Sequence, residues 1–282
     1  MLNENVKIEV LVGSASAHAA GFSVDTTVVL PMEPEELQKK IEAFNRSASK
    51  ISEEPYSGIY LADYRYDYPH GENIAKWAIG ACEPDDLETA NIIAMEMQSM
   101  GDTFLDKCDA LMQCYKPTEG IDTLSICYNI IDIPAWKLDH WFREYMETCA
   151  NPEHDHCKPL DRFDPYEMLG YVLLERDRPG SYLEMDENSL PGDFDLGQYG
   201  RNEALKRGIE IRNGWAVKKN FNIKEMQEIA WAPADLMKQY ATENYLNEKK
   251  WKAANSTGNQ SNHAPHRAIG REKEIGESRG AR

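Results

Sequence analysis

The stretch that decides the fold lies at residues 193–217 and reads DFDLGQYGRNEALKRGIEIRNGWAV. Its pattern predicts a helix over 196–206, followed by a pair of short strands over 209–217. The strands meet at Asn213-Gly214, a dipeptide that readily adopts the positive φ angles of a two-residue hairpin. A helix followed by a tight antiparallel hairpin indicates a small α/β unit. Upstream of it, the spacing predicts a further helix over 166–175.

The N-terminal part of the chain predicts a second small α/β unit. Residues 7–12 and 23–30 are rich in β-branched side chains, and a Gly/Ala/Ser stretch between them predicts a long loop. A helix should open near Pro34, because proline and acidic residues both suit a first helical turn. A third strand should follow at 59–66. Its alternating tyrosines predict core and edge packing, or else a binding surface.

Residues 71–158 predict helices throughout. In one of them Asp102, Asp106 and Asp109 recur at i, i+4 and i+7, opposite an apolar face that includes Phe104. This spacing predicts a carboxylate stripe on a solvated helix face. A later helix should hold Trp136 together with Trp141.

These elements predict an α+β protein that is divided into several domains. Polar, proline-containing residues at 151–165 indicate a boundary, and the composition after Trp251 cannot support a core. The predicted divisions are an N-terminal α/β domain at 1–70, a helical middle domain at 71–160, a C-terminal α/β domain at 161–220, a helical extension at 221–251, and a disordered basic tail at 252–282.

Charge is the strongest compositional signal. The chain has 48 acidic and 31 basic residues, a formal net charge of −17. Eight of the basic residues follow Asn247 and only three acids follow Glu248, so residues 1–248 carry 45 acids against 23 bases, a net of −22. Charge of one sign attracts basic partners and also keeps proteins soluble, and composition alone does not separate these two roles.

The sequence favours a cytoplasmic protein without a bound cofactor. No apolar run reaches the length of about 18 residues that a membrane span needs, and the first residues do not resemble a signal peptide. The six cysteines are irregularly spaced, which indicates reduced thiols.

One cluster has metal-ligand chemistry, with the residue types that suit zinc at Cys149, His154, His156 and Cys157. Its spacing matches no common zinc module, so we expect no metal and keep a zinc-dependent enzyme only as the weakest alternative. Glycine-rich phosphate loops and nucleophile-elbow motifs are also missing from the sequence. We therefore expect a protein that is not an enzyme.

The 193–217 stretch resembles the C-terminal domain of the antirestriction protein ArdA family, and the wider resemblance covers residues 6–220. In that family a Phe-Asp pair and a Tyr-Gly-Arg helix start lead to a short strand pair with a Gly-aromatic-Val end. The matching positions here are Phe194, Asp195, Tyr199, Gly200, Arg201, Ala204, Gly214, Trp215 and Val217.

The resemblance implies a protein whose surface carboxylates imitate the phosphates of B-DNA. Such a protein occupies the DNA-binding groove of type I restriction-modification enzymes, which their methyltransferase and specificity subunits form, and so protects incoming mobile DNA during conjugation. It implies an elongated, curved homodimer whose acidic body does not itself bind nucleic acid or membrane. The members predicted for the DNA-mimic surface are Asp63, Asp67, Glu83, Asp85, Asp86, Asp102, Asp106, Asp109, Asp161, Asp164, Glu167, Glu175, Asp177, Glu184, Asp186, Glu187, Asp193 and Asp195.

One further alternative stays open at this point. The same acidic surface would suit an inhibitor of a different DNA-binding defence or regulatory protein. The basic tail could fold back onto the acidic body or tether the protein to nucleic acid.

Overall fold

A computed structural model describes residues 2–52, 58–80, 87–149, 163–177, 195–219 and 234–256. Over these ranges the protein combines many helices with two small antiparallel sheets of three strands each. This composition confirms the mixed α and β class that the sequence predicts.

The first sheet is built from β1 (Ile8–Ser14), β2 (Asp25–Leu30) and β3 (Ile59–Tyr66), in the order β2-β1-β3. Both neighbours run antiparallel to β1, with Val10 opposite Val28 on one side and Tyr64 on the other. Because strand side chains alternate between faces, Ile8, Val10 and Val12 all point to the core and are fully buried. The three strands predicted from the sequence are thus present and paired.

Two helices accompany this sheet. The predicted loop after β1 contains a short helix, α1 (Ala15–Ala19), whose first turn is capped by the Ser14 hydroxyl accepting from the Ala17 amide at 3.2 Å. Helix α2 (Pro34–Ser52) begins at the predicted proline, with Glu35 and Glu36 in its first turn.

Four helices follow: α3 (Glu72–Gly80), α4 (Leu87–Ser99), α5 (Asp102–Tyr115) and α6 (Gly120–Tyr128). Helix α4 is buried on nearly all sides and contacts the first sheet, α3 and α6. One of its buried polar side chains holds a neighbouring loop in place through hydrogen bonds. The Asn91 side chain accepts from the Met32 amide and donates to the Met32 carbonyl, both at 2.9 Å, which fixes the chain just after β2.

The second sheet joins distant parts of the sequence. It contains β4 (Ala135–Lys137), β5 (Ile209–Arg212) and β6 (Trp215–Lys218), in the order β4-β6-β5. The placement of Trp136 in a helix was wrong, because Trp136 lies in β4 opposite Ala216. The hairpin between β5 and β6 is confirmed, with φ of 48° at Asn213 and 75° at Gly214.

Helices α7 (Leu138–Cys149), α8 (Pro165–Asp177) and α9 (Leu196–Arg207) accompany the second sheet. Leu169 and Leu173 of α8 pack with Ala204 of α9, with Ala216 of β6 and with Leu138, which forms a compact secondary core. The larger core contains residues of the first sheet and of α3 to α6, and it also takes in Trp215 and Val217 of β6.

The last described element is the long helix α10 (Ala234–Ser256), which packs on α4 and α6. Met237 and Ala241 are buried in the larger core. The prediction of disorder from residue 252 onwards was wrong for 252–256, which continue this helix. Residues 257–282 lie outside the described ranges.

Candidate functional site: the acidic surface

Eight of the carboxylates predicted for the DNA-mimic surface have described side chains. Asp63 and Asp67 lie on or just beyond β3, while Asp102, Asp106 and Asp109 lie on α5. The remaining three, Asp164, Glu167 and Asp195, lie at the starts of α8 and α9. The other predicted members fall outside the described side chains: Glu83, Asp85, Asp86, Asp161, Glu175, Asp177, Glu184, Asp186, Glu187 and Asp193.

The β3 carboxylates lie on the solvent face of the first sheet. Asp63, Arg65 and Asp67 alternate along the chain and are all exposed. Asp67 is paired with Arg65, with 2.7 Å between guanidinium and carboxylate, and about 70% of each side chain is accessible. An ion pair this exposed is weak and screened by salt, so both carboxylates stay available to a partner.

The tyrosines of β3 point the other way. Tyr64, Tyr66 and Tyr68 are partly buried and pack against the larger core. Burial raises the pKa of Tyr64, and it raises the pKa of Tyr66 strongly. Of the two interpretations of this tyrosine run, core and edge packing therefore describes these three residues.

The acidic stripe on α5 does not simply face solvent, because the turn between β3 and α3 lies against it. His70 Nδ1 is 2.7 Å from Asp106 Oδ1, and His70 Nε2 is 3.9 Å from Asp102 Oδ2. An ionised carboxylate can only accept, so the hydrogen of this bond lies on Nδ1. The Tyr68 hydroxyl donates to Asp102 at 2.8 Å, and Lys137 Nζ is 3.9 Å from the second oxygen of Asp106.

Asp109, the third member of the stripe, is buried, so its placement on a solvated face was wrong. Its carboxylate accepts from the amides of Gly71 and Ile74, each at 3.1 Å, and so caps the start of α3. Burial raises the pKa of Asp109 to about 6, against the lowering effect of these amide donors. The apolar side of α5 also differs from the prediction, because Phe104 is partly exposed and Leu105 is buried instead.

The acids at the start of α8 form a reciprocal cap. The Asp164 side chain accepts from the Tyr166 amide at 2.7 Å, while the Glu167 side chain accepts from the Asp164 amide at 2.9 Å. This is a variant of the capping box in which the N-cap side chain accepts from the second helical residue, and it satisfies amides that the first helical turn leaves free. Asp195 does the same for α9 by accepting from the Gln198 amide at 2.9 Å.

Arg201 connects these caps. It lies 3.8 Å from a carboxylate oxygen of Asp164, and its guanidinium carbon is 5.3 Å from the centre of the Tyr166 ring. The distance is within the range of a cation–π contact. The arginine of the Tyr-Gly-Arg motif therefore ties the start of α8 to α9 and offsets part of the acidic charge there.

Gly200 of the same motif is required by packing. A Cβ atom at this position would lie 1.9 Å from the Tyr166 carbonyl oxygen and 3.0 Å from the Gly170 amide nitrogen. Helices α8 and α9 thus approach through two glycines, Gly170 and Gly200, which permit backbone contact.

The other motif residues also have structural roles. Ala204 is buried under the second sheet, Trp215 and Val217 are buried in the larger core, and Gly214 supplies the positive φ of the hairpin. Phe194 lies outside the described residues, and the Tyr199 amide donates to the Asp195 carbonyl at 2.9 Å. The motif therefore specifies how the C-terminal unit folds, while its carboxylate Asp195 is exposed.

The sequence left open whether the basic C-terminal region folds back onto the acidic body, and it did not indicate which cations and acids meet. His70 and Lys137 contact the α5 acids, and Lys249 and Lys252 of α10 contact Glu33 and Glu4 at 2.9 and 3.0 Å. Each of these contacts joins residues far apart in the chain, so no local spacing could reveal them.

Within the described ranges, no three His, Cys, Asp or Glu side chains are grouped so that they could hold a metal ion. The candidate zinc ligands Cys149, His154, His156 and Cys157 lie outside the described side chains. Among the helices that are described, none has the length and apolar character needed to cross a membrane.

No family model, curated protein or solved structure matches this chain.

Proposed function

We propose that this protein is a DNA mimic that binds the DNA-binding groove of a type I restriction-modification enzyme and excludes DNA from it. The observation that carries the proposal is the net charge of −22 on residues 1–248. The resemblance of 193–217 to the ArdA family supplies the class of client. In this role the protein acts by occupancy, and we expect neither catalysis nor a cofactor.

The amount of charge is suitable for replacing a length of duplex. B-DNA carries one charge per roughly 1.7 Å of helix axis, so 22 net charges correspond to roughly 37 Å, or about 11 base pairs. A homodimer would then offer the charge of about two helical turns. This length suits the extended groove of an enzyme that reads a bipartite site.

The distribution of carboxylates over several elements supports the same role. Acids one helical turn apart are separated by about 6 Å along the axis, so a single helix cannot follow the phosphate spacing of DNA. The exposed carboxylates Asp63, Asp67, Asp102, Asp164 and Asp195 belong to four different parts of the fold. Such an arrangement allows acids from several elements to act together through their combined electrostatic field, so that no single acid is essential.

Displacement of DNA from the client tests the proposal directly. A fluorescent duplex containing the recognition sequence is bound by the methyltransferase core of modification and specificity subunits, and this protein is titrated in at low salt. We expect the anisotropy of the duplex to fall to its free value near one dimer per groove. We also expect DNA cleavage and methylation by the complete enzyme to be inhibited at the same ratio.

Matched variants show whether the predicted surface charges cause the inhibition. Replacing Asp63, Asp67 and Asp102 with Asn removes three predicted surface charges, whereas replacing Glu35, Glu42 and Glu243 with Gln removes three charges from α2 and α10. The first variant should inhibit more weakly than the second. Unchanged restriction and methylation at stoichiometric excess and low salt would reject the proposal. Displacement of DNA from a different DNA-binding protein would instead support the alternative client.

A further inference from the structure

The end of α10 places two lysines on acidic groups of the N-terminal region. Lys249 Nζ lies 2.9 Å from Glu33 Oε1, and Lys252 Nζ lies 3.0 Å from Glu4 Oε1. Lys252 also donates to the carbonyl of Leu2 at 2.6 Å. Two consecutive turns of one helix thus supply cations to carboxylates that are more than 200 residues away in the sequence.

Packing holds these lysines in position. Tyr245 of α10 is buried against Leu2 and Met95, and Met237 and Ala241 anchor the same helix in the larger core. Cations on a packed helix lose less conformational freedom on pairing than cations on a flexible chain. The hydrogen bond from Lys249 lowers the pKa of Glu33, and the bond from Lys252 lowers the pKa of Glu4.

The charge of this region is opposite to that of the body. From Lys249 to the end of the chain there are eight basic residues and three acidic ones, whereas residues 1–248 have a net charge of −22. Lys249 and Lys252, the two members of this basic region that contact Glu33 and Glu4, therefore supply the kind of charge that a basic partner would bring.

We propose that the end of α10 is an internal cationic segment, in which Lys249 and Lys252 occupy Glu33 and Glu4 and compete with basic partners for these two carboxylates. The biological meaning of this competition rests on the proposed function, but the contact and the competition do not. A basic protein groove must displace Lys249 and Lys252 before it can use these carboxylates. The segment would then set the threshold of cationic charge that a client needs.

The test uses the full-length chain and a fluorescent octa-arginine peptide as the basic probe. The variant K249Q/K252Q removes the two internal cations that contact Glu33 and Glu4. The control K76Q/K238Q makes the same change in net charge on α3 and on an earlier turn of α10. We expect the first variant to bind the peptide about threefold to tenfold more tightly than the control at low salt, the range expected for two exposed ion pairs.

A second pair of substitutions tests whether the competition takes place at Glu4 and Glu33. Adding E4Q/E33Q to K249Q/K252Q should remove the gain, because the freed carboxylates are then missing. Equal affinity of K249Q/K252Q and K76Q/K238Q would overturn the proposal, as would a gain that survives E4Q/E33Q. Both results are independent of restriction enzymes, so a failure of the proposed function would not be confused with a failure of this inference.

A measurement on the unmodified protein guards against misfolding of the variants. A carbodiimide joins a lysine amine to a carboxylate only when the two groups are in contact, and peptide mass spectrometry identifies the linked pair. We expect Lys249–Glu33 and Lys252–Glu4 links, and we expect excess octa-arginine to reduce their yield. Absence of both links, or yields that the peptide does not change, would overturn the proposal.

Discussion

His70 Nδ1 lies 2.7 Å from Asp106 Oδ1, and the guanidinium of Arg65 at the end of β3 lies at the same distance from the carboxylate of Asp67. The two pairs differ in exposure, since about 30% of each side chain is accessible in the first pair and about 70% in the second. A half-buried bond between a carboxylate and a donor is worth more than an exposed pair, because water competes for it less.

The difference in strength between the two bonds can be measured by replacing Asp106 and Asp67 with alanine in separate variants. We expect Asp106→Ala to lower the free energy of unfolding by about 1 to 2 kcal/mol, and Asp67→Ala to lower it by less than about 0.5 kcal/mol. Urea unfolding of both variants at pH 7 and moderate salt measures the difference. Equal effects would mean that His70 does not fasten the turn before α3 to α5.

Asp109 should make the protein less stable as pH rises, which is the opposite of the usual effect of an aspartate. Its pKa is about 6 in the folded protein, whereas an unfolded aspartate has a pKa of about 3.9. Between these values the folded protein binds more protons than the unfolded one, so this group lowers the free energy of unfolding as pH rises from about 4 to about 6. The contribution is on the order of 2 to 3 kcal/mol.

The variant Asp109→Asn isolates that contribution. The asparagine oxygen can replace only one of the two carboxylate oxygens that accept from the Gly71 and Ile74 amides, so the variant loses some stability at every pH, but its amide does not titrate. We therefore expect the stability of the variant, relative to the unmodified protein, to increase between about pH 4 and about pH 6 and then to level off. Chemical unfolding at several pH values measures this difference directly. A difference that does not change with pH would show that the Asp109 carboxyl titrates at its ordinary pKa.

The contact between α8 and α9 should tolerate no side chain at Gly200. A Cβ there would lie 1.9 Å from the Tyr166 carbonyl oxygen, and backbone atoms on both helices cannot move aside cheaply. We expect Gly200→Ala to lower stability by about 3 kcal/mol, even though alanine favours helix.

Gly197 provides the matched control in the same helix. A Cβ at Gly197 would approach Asp195 Oδ1 at 3.2 Å and Glu167 Cγ at 3.3 Å, so these two capping side chains would have to shift by only a few tenths of an ångström. Gly197→Ala should therefore change stability by less than about 1 kcal/mol. Thermal unfolding of the two variants compares them, and similar losses would argue against close packing at Gly200.

Local signals were enough to predict most of the elements. The start of α2, the helix α9 and the Asn213-Gly214 hairpin all depend on residues within a few positions of each other, so propensity and spacing locate them. Strand β4 could not be found this way. It has three residues, and its strand character comes from pairing with β6, about 80 residues later.

The acidic site shows the same limit. The spacing of Asp102, Asp106 and Asp109 correctly places all three on α5, but periodicity cannot tell what faces a polar stripe. The turn at His70 and the first amides of α3 cover part of this stripe. Asp109, which was predicted to lie on the surface, is therefore buried and caps α3. Sequence reasoning finds the charges, whereas long-range contacts decide which of them remain available to a partner.

The excess of acidic charge should make stability sensitive to salt. Like charges on the body repel one another, and an ionic strength of about 0.1 M reduces the range of this repulsion to about 10 Å. We expect the melting temperature to rise when NaCl is increased from about 20 mM to about 200 mM. The internal pairs of Lys249 and Lys252 are screened too, but they are few beside the net charge of −22.

Charge-changing variants identify the source of this response. The triple variant Asp63→Asn, Asp67→Asn and Asp102→Asn reduces the repulsion, so its melting temperature should rise less with salt than that of the unmodified protein. The variant K249Q/K252Q removes two positive charges and should respond more strongly. Differential scanning calorimetry at several NaCl concentrations gives the slopes. A flat or falling melting temperature in the unmodified protein would show that its acids are already balanced internally, and it would remove the electrostatic basis for DNA mimicry.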